Sequence, residues 1–286
     1  MEGLVDIIMS KLGISAKKTN LDSWKRVVQV LSKPKSGEID IAVVGKYLGL
    51  QDSYKSLTEA LIHGGISNDV GVNINWLDAE SLDQDPATTD LSRYHGILVP
   101  GGFGERGIEG KIKAIQHARE NQIPFFGICL GMHCAVIEFS RNVVQLHMAN
   151  SSEFSPNTPD PVIDLLPDQN NKSDKGGSMR LGEYFCQLRK NSNAFEAYGT
   201  REVYERHRHR YEFNNRYRIQ LEEAGLKFSG LSPNGNLVEI VELENHPWFL
   251  AGQFHPEFKS SPMKPHPLFT AFIASSCLRR KNIQEK

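Results

Sequence analysis

The sequence predicts an α/β domain: a three-layer sandwich with a mostly parallel central sheet, helices on both faces and an antiparallel extension. The first observation is that short β-branched or apolar runs alternate with helical repeats between residues 39 and 139. This alternation is typical of a parallel sheet that is covered on both sides. The second observation is a series of strand-like runs between residues 184 and 254, which we assign to the antiparallel section.

The first half of the chain supplies the alternating elements. Apolar runs predict strands at 39–44, 72–77, 95–99 and 124–128, and repeats with helical spacing predict helices at 108–118 and 130–139. Another helix is expected to follow the first strand. Asp52 is a suitable N-cap for it, and Gly64 with Gly65 is expected to end it.

The second half opens with a polar segment at 146–180 that is rich in Pro and Asn and has no periodicity. A loop of this length inside a domain is usually functional or mobile. Strands are then predicted at 184–189, 203–213, 227–231, 237–243 and 249–254, followed by a closing helix at 268–278 and a frayed polar tail.

The first 37 residues differ from the rest. Apolar residues recur at helical spacing in 4–12 and 24–31, and Gly13 is placed to end the first helix. Two such short helices bury little on each other, so we expect them to pack on another body or to be the end of a domain that is not present. We divide the chain into connector helices (1–37), one domain (38–280) and a polar tail (281–286).

The composition excludes several classes of protein. The 286 residues carry a formal charge of −1 and are 39% hydrophobic, which indicates a folded chain and disfavours a nucleic-acid partner. No apolar run reaches the roughly 20 residues that span a bilayer, so no membrane association is expected. The N-terminus lacks the basic leader of a secretory signal. Four cysteines without CxxC spacing indicate reduced thiols, as expected of a cytoplasmic protein.

The sharpest motif is the glycine-flanked Cys129 in the sequence FFGICLGMH (125–133). A strand that runs through Gly-x-Cys-x-Gly straight into a helix is the thiol version of a nucleophile elbow. The helix N-terminus favours the thiolate form of such a cysteine. The alternative is a buried structural cysteine that follows a core strand.

The second motif is His255-Pro256-Glu257. Proline restricts the residue before it to an extended conformation, and residues i and i+2 of an extended segment point the same way. We therefore expect His255 and Glu257 to act together as a base and its orienting carboxylate. The alternatives are two exposed polar groups in a loop, or a metal site, for which no third ligand has fitting spacing.

The third motif, Gly101-Gly102-Phe103-Gly104, follows a predicted buried strand. Paired glycines at such a place free backbone N–H groups for an oxyanion hole. A phosphate-binding loop is the competing interpretation, but the sequence has no Gly-x-x-x-x-Gly-Lys-[Ser/Thr] motif.

Together these motifs resemble those of the class I (triad-type) glutamine amidotransferases, and in detail the glutaminase half of the CTP synthases. The resemblance extends from about residue 38 to residue 275. It is carried by GKY at 45–47, DSYKS at 52–56, VPGGFG at 99–104, GICLGM at 127–132, MRLG at 179–182, ERHRHRY at 205–211 and QFHPEF at 253–258.

The resemblance implies a flavodoxin-like fold and hydrolysis of the glutamine side-chain amide through a glutamyl thioester. It makes Cys129 the nucleophile, His255 the general base and then acid, and Glu257 the orienting carboxylate. The backbone N–H groups of Gly102 and Leu130 would receive the oxyanion. No cofactor or metal is implied for this half-reaction.

The resemblance also implies binding residues. Glu153 would hold the ammonium group of glutamine and Arg210 its carboxylate, in line with charge-assisted recognition. GTP is the family's allosteric activator, and Phe103 and Arg106 are the residues that we assign to it. The arginine run at 205–211 has a simpler interpretation as an alternating strand, with a nucleic-acid patch as a weak alternative.

Two residues depart from the family pattern. His133 stands where the family usually has Gln, close to the expected glutamine, and its ability to titrate is expected to alter affinity or pH dependence. A tolerated replacement at the pocket rim is the alternative. Glu105 stands where an aromatic residue is common and is expected to weaken a GTP response.

The synthetase half of the family is absent from the sequence. The resemblance implies that the full-length enzyme uses ATP and Mg to activate UTP, takes ammonia from the glutaminase half, and forms a homotetramer. The chain is therefore expected to be a glutaminase domain from a longer protein or a separately encoded subunit. The functional alternatives are another amidase or γ-glutamyl hydrolase, a catalytically silent regulatory or glutamine-binding module, and a thiol redox sensor.

Overall fold

The computed structural model describes residues 3–15, 20–46, 54–84, 89–165 and 179–285. The predicted cap at Asp52 lies outside these ranges, as do Tyr47 and part of the predicted loop, 166–178. The helices are α1 (Leu4–Leu12), α2 (Asp22–Ser32), α3 (Lys55–Asn68), α4 (Ala79–Gln84), α5 (Ile108–Glu120), α6 (Leu130–Asn142), α7 (Asn193–Tyr198), α8 (Arg218–Glu223) and α9 (Pro267–Gln284).

The strands alternate with these helices in the first half and follow one another more closely in the second. They are β1 (Glu38–Gly45), β2 (Gly71–Asp78), β3 (Gly96–Val99), β4 (Phe125–Ile128), β5 (Ala149–Ser151), β6 (Asp160–Leu165), β7 (Arg180–Leu188), β8 (Glu202–His209), β9 (Tyr211–Phe213), β10 (Leu226–Leu231), β11 (Val238–Leu243) and β12 (Phe249–Gly252).

Within the described residues, nine strands form the main sheet in the order β2-β1-β3-β4-β12-β11-β10-β7-β8. The pairs from β2 to β12 are parallel, and the pairs from β12 to β8 are antiparallel. This arrangement confirms the predicted parallel sheet with an antiparallel extension. A smaller sheet joins β5, β6 and β9.

Two apolar clusters cover opposite faces of the main sheet. Residues of β1 alternate between them, because successive side chains of a strand point to opposite faces. Ala42 and Val44 join the cluster that contains α5 and α6. Ile41 and Val43 join the cluster that contains α3 and α9. The domain therefore has the three layers that the sequence predicted.

The prediction that Gly64 and Gly65 end α3 is wrong. The helix continues to Asn68, and Asp69 caps it in the left-handed conformation at φ 55°. The two glycines instead permit close packing. A Cβ on Gly64 would lie 2.9 Å from the backbone oxygen of Phe269 in α9, and a Cβ on Gly65 would lie 2.7 Å from the backbone oxygen of Val70.

Three other boundaries differ from the prediction. The segment at 146–180 contains β5 (sequence ANS) and β6 (sequence DPVIDL), neither of which shows the alternation of apolar and polar residues on which strand prediction depends. The run at 203–213 is two strands in different sheets, separated at Arg210. Helix α9 continues to Gln284, beyond the predicted end at 278. Helices α4, α7 and α8 were not predicted from the sequence, because each is only six residues long.

The N-terminal helices have few contacts with the domain. Helix α1 ends at Gly13 as predicted and has no buried residue. In α2 the buried residues are Val27 and Val30, which pack with Ile66 of α3, whereas Trp24 is exposed. The division at 37 and 280 stays a prediction. In the described ranges, no helix is both long enough and apolar enough to cross a bilayer.

The close contact at Gly64 leads to a stability prediction. In an open helix, Gly64→Ala would stabilise the protein by up to about 1 kcal/mol, because alanine has the better helix propensity. The contact with α9 reverses this sign, and we expect the free energy of unfolding to fall by about 1–3 kcal/mol. Urea unfolding measures the change.

Lys55→Ala, at an exposed position of the same helix, is the matched control and should change the free energy of unfolding by less than about 0.5 kcal/mol. A Gly64→Ala variant as stable as the parent would show that α9 moves aside without cost.

Candidate active site

Three parallel strands at the centre of the main sheet end at one edge. Strand β3 pairs with β4, and β4 pairs with β12. The loop after β3 carries Gly102, β4 leads directly into Cys129, and the segment after β12 carries His255. Ligand sites of open α/β sheets lie at the carboxyl ends of the strands. The fold therefore brings the three sequence motifs together.

Cys129 occupies a sharp turn between β4 and α6. Its φ of 51° and ψ of −101° are strained for a residue with a side chain, and such strain is typical of a nucleophile elbow. The side chain is 4% exposed. Its backbone N–H donates to the carbonyl of Gly252 at 2.7 Å, which ties the turn to the end of β12.

The glycines that flank Cys129 are required by close approaches of the backbone. A Cβ on Gly131 would lie 2.1 Å from the backbone oxygen of Val99, at the end of β3. A Cβ on Gly127 would lie 2.8 Å from the Cβ of Ala251 in β12. Any larger residue at either position would push the elbow away from the adjacent strands.

His255 and Glu257 form a direct pair. The Nδ1–H of His255 donates to Oε1 of Glu257 at 2.7 Å. The extended geometry predicted for this segment is wrong beyond His255, because Pro256–Lys259 is a turn of 3-10 helix. That turn brings Glu257 back beside the imidazole, so the predicted partnership is present with a different backbone.

The imidazole of His255 packs against Gly101, where a Cβ would lie 2.7 Å from its Cε1 and 3.6 Å from the Cβ of Cys129. Burial lowers the pKa of His255, but the neighbouring Cys129 and Glu257 outweigh burial and raise that pKa to about 10. Its Nε2 is buried and has no hydrogen-bond partner among the residues that the structure describes. The ring is therefore suited to hold a proton taken from the thiol.

Two cavities meet at Cys129. The lining of the first cavity is Gly102, Phe103, Cys129, Leu130, His133, Glu153, Met179, His209, Arg210 and Tyr211. The second cavity shares Gly102, Phe103 and Cys129 with the first and is also lined by His255, Glu257 and Arg208. Cys129 thus lies where a cavity lined by Glu153 and Arg210 meets a cavity lined by His255 and Glu257.

The predicted oxyanion groups are adjacent. Leu130 is the first residue of α6, and the first N–H groups of a helix have no partner within it. A Cβ on Gly102 would lie 3.2 Å from the side chain of Leu130. Gly102 and Leu130 therefore lie next to each other in the lining of the first cavity, together with Cys129.

Glu153 and Arg210 place opposite charges in the first cavity. Oε1 of Glu153 accepts from the backbone N–H of Gly104 at 3.3 Å. Burial raises the pKa of Glu153, opposed by the Gly104 N–H and by the charges of Lys46 and Arg210. Nε of Arg210 is buried and unpaired within the described part of the chain. The pair offers a carboxylate and a guanidinium to a zwitterion.

His133 is 3% exposed rather than at the rim of the cavity. Its Nε2–H donates to Oε1 of Gln253 at 2.9 Å, and Nε2 of Gln253 donates to the sulphur of Cys129 at 3.9 Å. Burial, partly offset by hydrogen bonds to Gln253 and Tyr211, lowers the pKa of His133 to about 4. The ring is therefore neutral at physiological pH, and the expected titration near neutrality does not follow from this geometry.

The residues assigned to GTP, Phe103 and Arg106, both lie in the loop between β3 and α5. Phe103 is half exposed at the edge of both cavities, with the guanidinium of Arg208 5.9 Å from its ring. Arg106 forms an ion pair with Glu80. The arginine run alternates as predicted, with Arg206 and Arg208 exposed and His207 and His209 buried. Within the described ranges, no group of three His, Cys, Asp or Glu residues is arranged to hold a metal ion.

Sequence reasoning missed four residues of the site: Met179, His209, Tyr211 and Gln253. His209 and Tyr211 flank Arg210, and Gln253 comes two residues before His255. The inward face of the predicted 203–213 strand was the available signal for His209. No pattern in the sequence indicated that Gln253 connects His133 to the cysteine sulphur.

Comparisons with known proteins agree with this geometry. Residues 49–275 match the family model for "Glutamine amidotransferase class-I". The chain is 56% identical to the CTP synthases of Syntrophus aciditrophicus and Carboxydothermus hydrogenoformans, over 99% and 98% of its own length and 53% and 52% of theirs. It therefore spans about half the length of the curated relatives that it matches.

A solved structure is similar over nearly its whole length. It is the glutaminase domain of Trypanosoma brucei CTPS with bound acivicin. The TM-score is 0.79 and the sequence identity 41%, over 84% of this chain and 94% of that chain. The chain belongs to the class I glutamine amidotransferases, as a glutaminase domain of the CTP synthase type.

Proposed function

We propose that the protein hydrolyses the side-chain amide of glutamine to glutamate and ammonia, with Cys129 as nucleophile. One observation carries the proposal. Cys129 lines a cavity in which Glu153 and Arg210 present opposite charges, and the His255–Glu257 pair lies on the other side of the sulphur. A zwitterionic amino acid fits such a cavity, and a thiol beside an oriented imidazole is suited to acyl transfer.

In the proposed first step, His255 holds the thiol proton and the thiolate of Cys129 attacks the amide carbon. The N–H groups of Gly102 and Leu130 donate to the oxygen as it becomes negative. The Nε2–H of His255 then protonates the leaving nitrogen, the C–N bond breaks, and ammonia and a glutamyl thioester form. Glu257 keeps the imidazole oriented and supports its cationic form.

In the second step, His255 takes a proton from water, and the resulting hydroxide attacks the thioester carbon. The same two N–H groups stabilise the oxyanion. The C–S bond then breaks, and the thiolate leaves beside the protonated imidazole. Glutamate is released, and the enzyme returns to its starting protonation state without any metal or cofactor.

Recognition of glutamine is assigned to the two charged residues of the cavity. Glu153 accepts hydrogen bonds from the α-ammonium group, and Arg210 binds the α-carboxylate through its guanidinium fork. His133 lines the cavity, and Gln253 connects it to the sulphur of Cys129 through hydrogen bonds. The ring of His133 is neutral, so its contribution to the pocket is steric and through hydrogen bonds.

The role in a longer protein is also a proposal. In this proposal the ammonia passes to a synthetase domain that uses ATP and Mg to activate UTP, giving CTP, and the assembly is a cytoplasmic homotetramer. GTP is proposed as activator, with Phe103 stacking on the base and Arg106 meeting a polar group of the nucleotide. The half-exposed ring of Phe103, with Arg208 beside it, supports a site for a planar base.

Covalent labelling tests the assembly of the site directly. The electrophilic glutamine analogue 6-diazo-5-oxonorleucine is expected to give one adduct on Cys129, seen by intact mass and peptide mapping and blocked by excess glutamine. No adduct on the folded protein would contradict the proposed function. Adducts that glutamine does not block would indicate a reactive thiol without a glutamine site.

Cys129→Ala is expected to lower glutamine hydrolysis at least about 1,000-fold while the fold is kept, because the reaction loses its nucleophile. Ammonia release measures the activity, and circular dichroism checks the fold. Cys277→Ala is the matched control, since Cys277 lies in α9 away from both cavities. Turnover that persists in Cys129→Ala would indicate that the protein is a catalytically silent module and that the measured activity comes from a contaminant.

Glu257→Gln is expected to lower kcat by about 10- to 1,000-fold with little change in KM, because the imidazole loses its orienting charge. The pKa of His255 is raised partly by Glu257, so removing that charge lowers it. The alkaline limb of the kcat/KM profile should therefore move to lower pH. An unchanged rate and profile would show that Glu257 does not orient the base.

His133→Gln tests the departure from the family pattern. If His133 weakens the site, the variant should have a higher kcat or a lower KM for glutamine. The pH profiles of variant and parent should have the same shape between pH 6 and 9, because the pKa of His133 lies near 4. An inflection between pH 6 and 9 that is present in the profile of the parent and absent from that of the variant would contradict the neutral state assigned to the His133 ring.

A further inference from the structure

A buried network of polar side chains extends from the wall of the first cavity into the main sheet. This polar network takes no part in the chemistry proposed above. It consists of His209, His207, Glu239, Arg180 and Glu212, each less than one-tenth exposed. His209 lines the first cavity beside Arg210. Burying this many ionisable groups costs stability unless they are well paired.

The hydrogen bonds of the two histidines have a defined direction. Nδ1 of His209 lies 3.1 Å from the carbonyl oxygen of Tyr211, which can only accept, so this nitrogen carries the proton. Nε2 of His209 is then an acceptor in the neutral ring. It lies 2.9 Å from Nδ1 of His207, which must therefore donate.

The end of the polar network far from the cavity contains ion pairs of Arg180 with two glutamates. Nε2 of His207 lies 3.6 Å from Oε2 of Glu239, and Arg180 donates to Oε1 of Glu239 at 2.8 Å and to Oε1 of Glu212 at 3.1 Å. Burial and the Arg180 charge lower the pKa of His207, while burial raises that of Glu239. Burial likewise lowers the pKa of His209, and both rings are therefore neutral.

The end of the polar network near the cavity lies at the turn of the backbone that carries Arg210. Strand β8 ends at His209 in the main sheet, and β9 begins at Tyr211 in the small sheet. Arg210 lies between them, outside both strands. The bond from the His209 ring to the Tyr211 carbonyl spans this turn. It fixes the backbone on both sides of the one residue that carries the guanidinium.

We propose that His209, held in one orientation by its hydrogen bond with His207, is a positioning residue that directs the guanidinium of Arg210 towards the α-carboxylate of glutamine. The inference rests on the proposed function and deepens it, because it names the device behind recognition of the carboxylate. His209 acts through Arg210 and touches no reacting atom. Its loss should weaken the binding of substrates that carry the carboxylate and leave the chemical step unchanged.

Two variants at position 209 separate the two hydrogen bonds. His209→Asn places an amide N–H where Nδ1 was and can keep the bond to the Tyr211 carbonyl. His209→Gln places an amide oxygen where Nε2 was, so it can accept from His207 but loses the bond across this turn. We expect His209→Asn to keep KM for glutamine within about 3-fold, and His209→Gln to raise it about 10-fold with kcat within about 2-fold.

A second substrate shows whether Arg210 is the target. L-Glutaminamide has the same side-chain amide but a neutral amide in place of the α-carboxylate. His209→Gln should lower kcat/KM for glutamine about 10-fold and that for L-glutaminamide less than about 2-fold. Equal losses on the two substrates would overturn the inference, as would a His209→Asn variant impaired as much as His209→Gln.

A folding control keeps the test decisive. If His209→Gln does not fold, as judged by thermal melting, His207→Leu replaces it. This variant removes the donor to His209 but leaves the cavity lining intact, and it should give the same selective loss at about 3-fold. No selectivity in His207→Leu would overturn the inference.

The parent protein distinguishes this inference from the function on which it rests. A parent that neither hydrolyses glutamine nor reacts with 6-diazo-5-oxonorleucine at Cys129 would overturn both. An active, labelled parent whose position 209 variants bind both substrates like the parent would overturn the positioning role alone.

Discussion

The contact between the Cys129 turn and the ends of β3 and β12 is the constraint on which the site depends. The turn fits because Gly127 and Gly131 have no side chains at two points where backbone meets backbone. The hydrogen bond from the Cys129 N–H to Gly252 closes the same contact from the other side. With these in place, a strained φ at Cys129 is held by the surrounding sheet.

From this one contact the other groups take their positions. Helix α6 begins at Leu130, directly after Cys129, and places Leu130 beside Gly102. The segment after β12 leaves the sheet beside the elbow, and its 3-10 turn sets Glu257 against His255. The charged pair of Glu153 and Arg210 comes from elsewhere, from the small sheet and the corner that joins it to the main one. On the proposed function, chemistry and recognition therefore rest on different parts of the fold.

The sequence predicted the features that local pattern encodes. The parallel strands, the elbow around Cys129 and the His255–Glu257 partnership follow from residue types at short spacing. It could not predict that Gly64 lies inside a helix, because the contact that needs this glycine comes from Phe269 in α9, far along the chain. The burial of His133 and the hydrogen bond from Gln253 to the cysteine sulphur likewise depend on tertiary contacts, which a local sequence pattern does not encode. Strands β5 and β6 lack an alternation of apolar and polar residues, so the sequence did not indicate them.

The neutral imidazoles of His133 and His209 leave the first cavity with a simple charge balance. One carboxylate faces one guanidinium, so the cavity is matched to a zwitterion with an uncharged side chain. On the proposed function, hydrolysis turns that side chain into a carboxylate beside Cys129, where neither imidazole of the cavity carries a charge to pair with it. The cationic ring of His255, in the lining that Cys129 shares with the second cavity, is available to that carboxylate instead, so on this proposal the protonation of His255 sets how firmly glutamate is held compared with glutamine. Competition by glutamate against glutamine measures this difference.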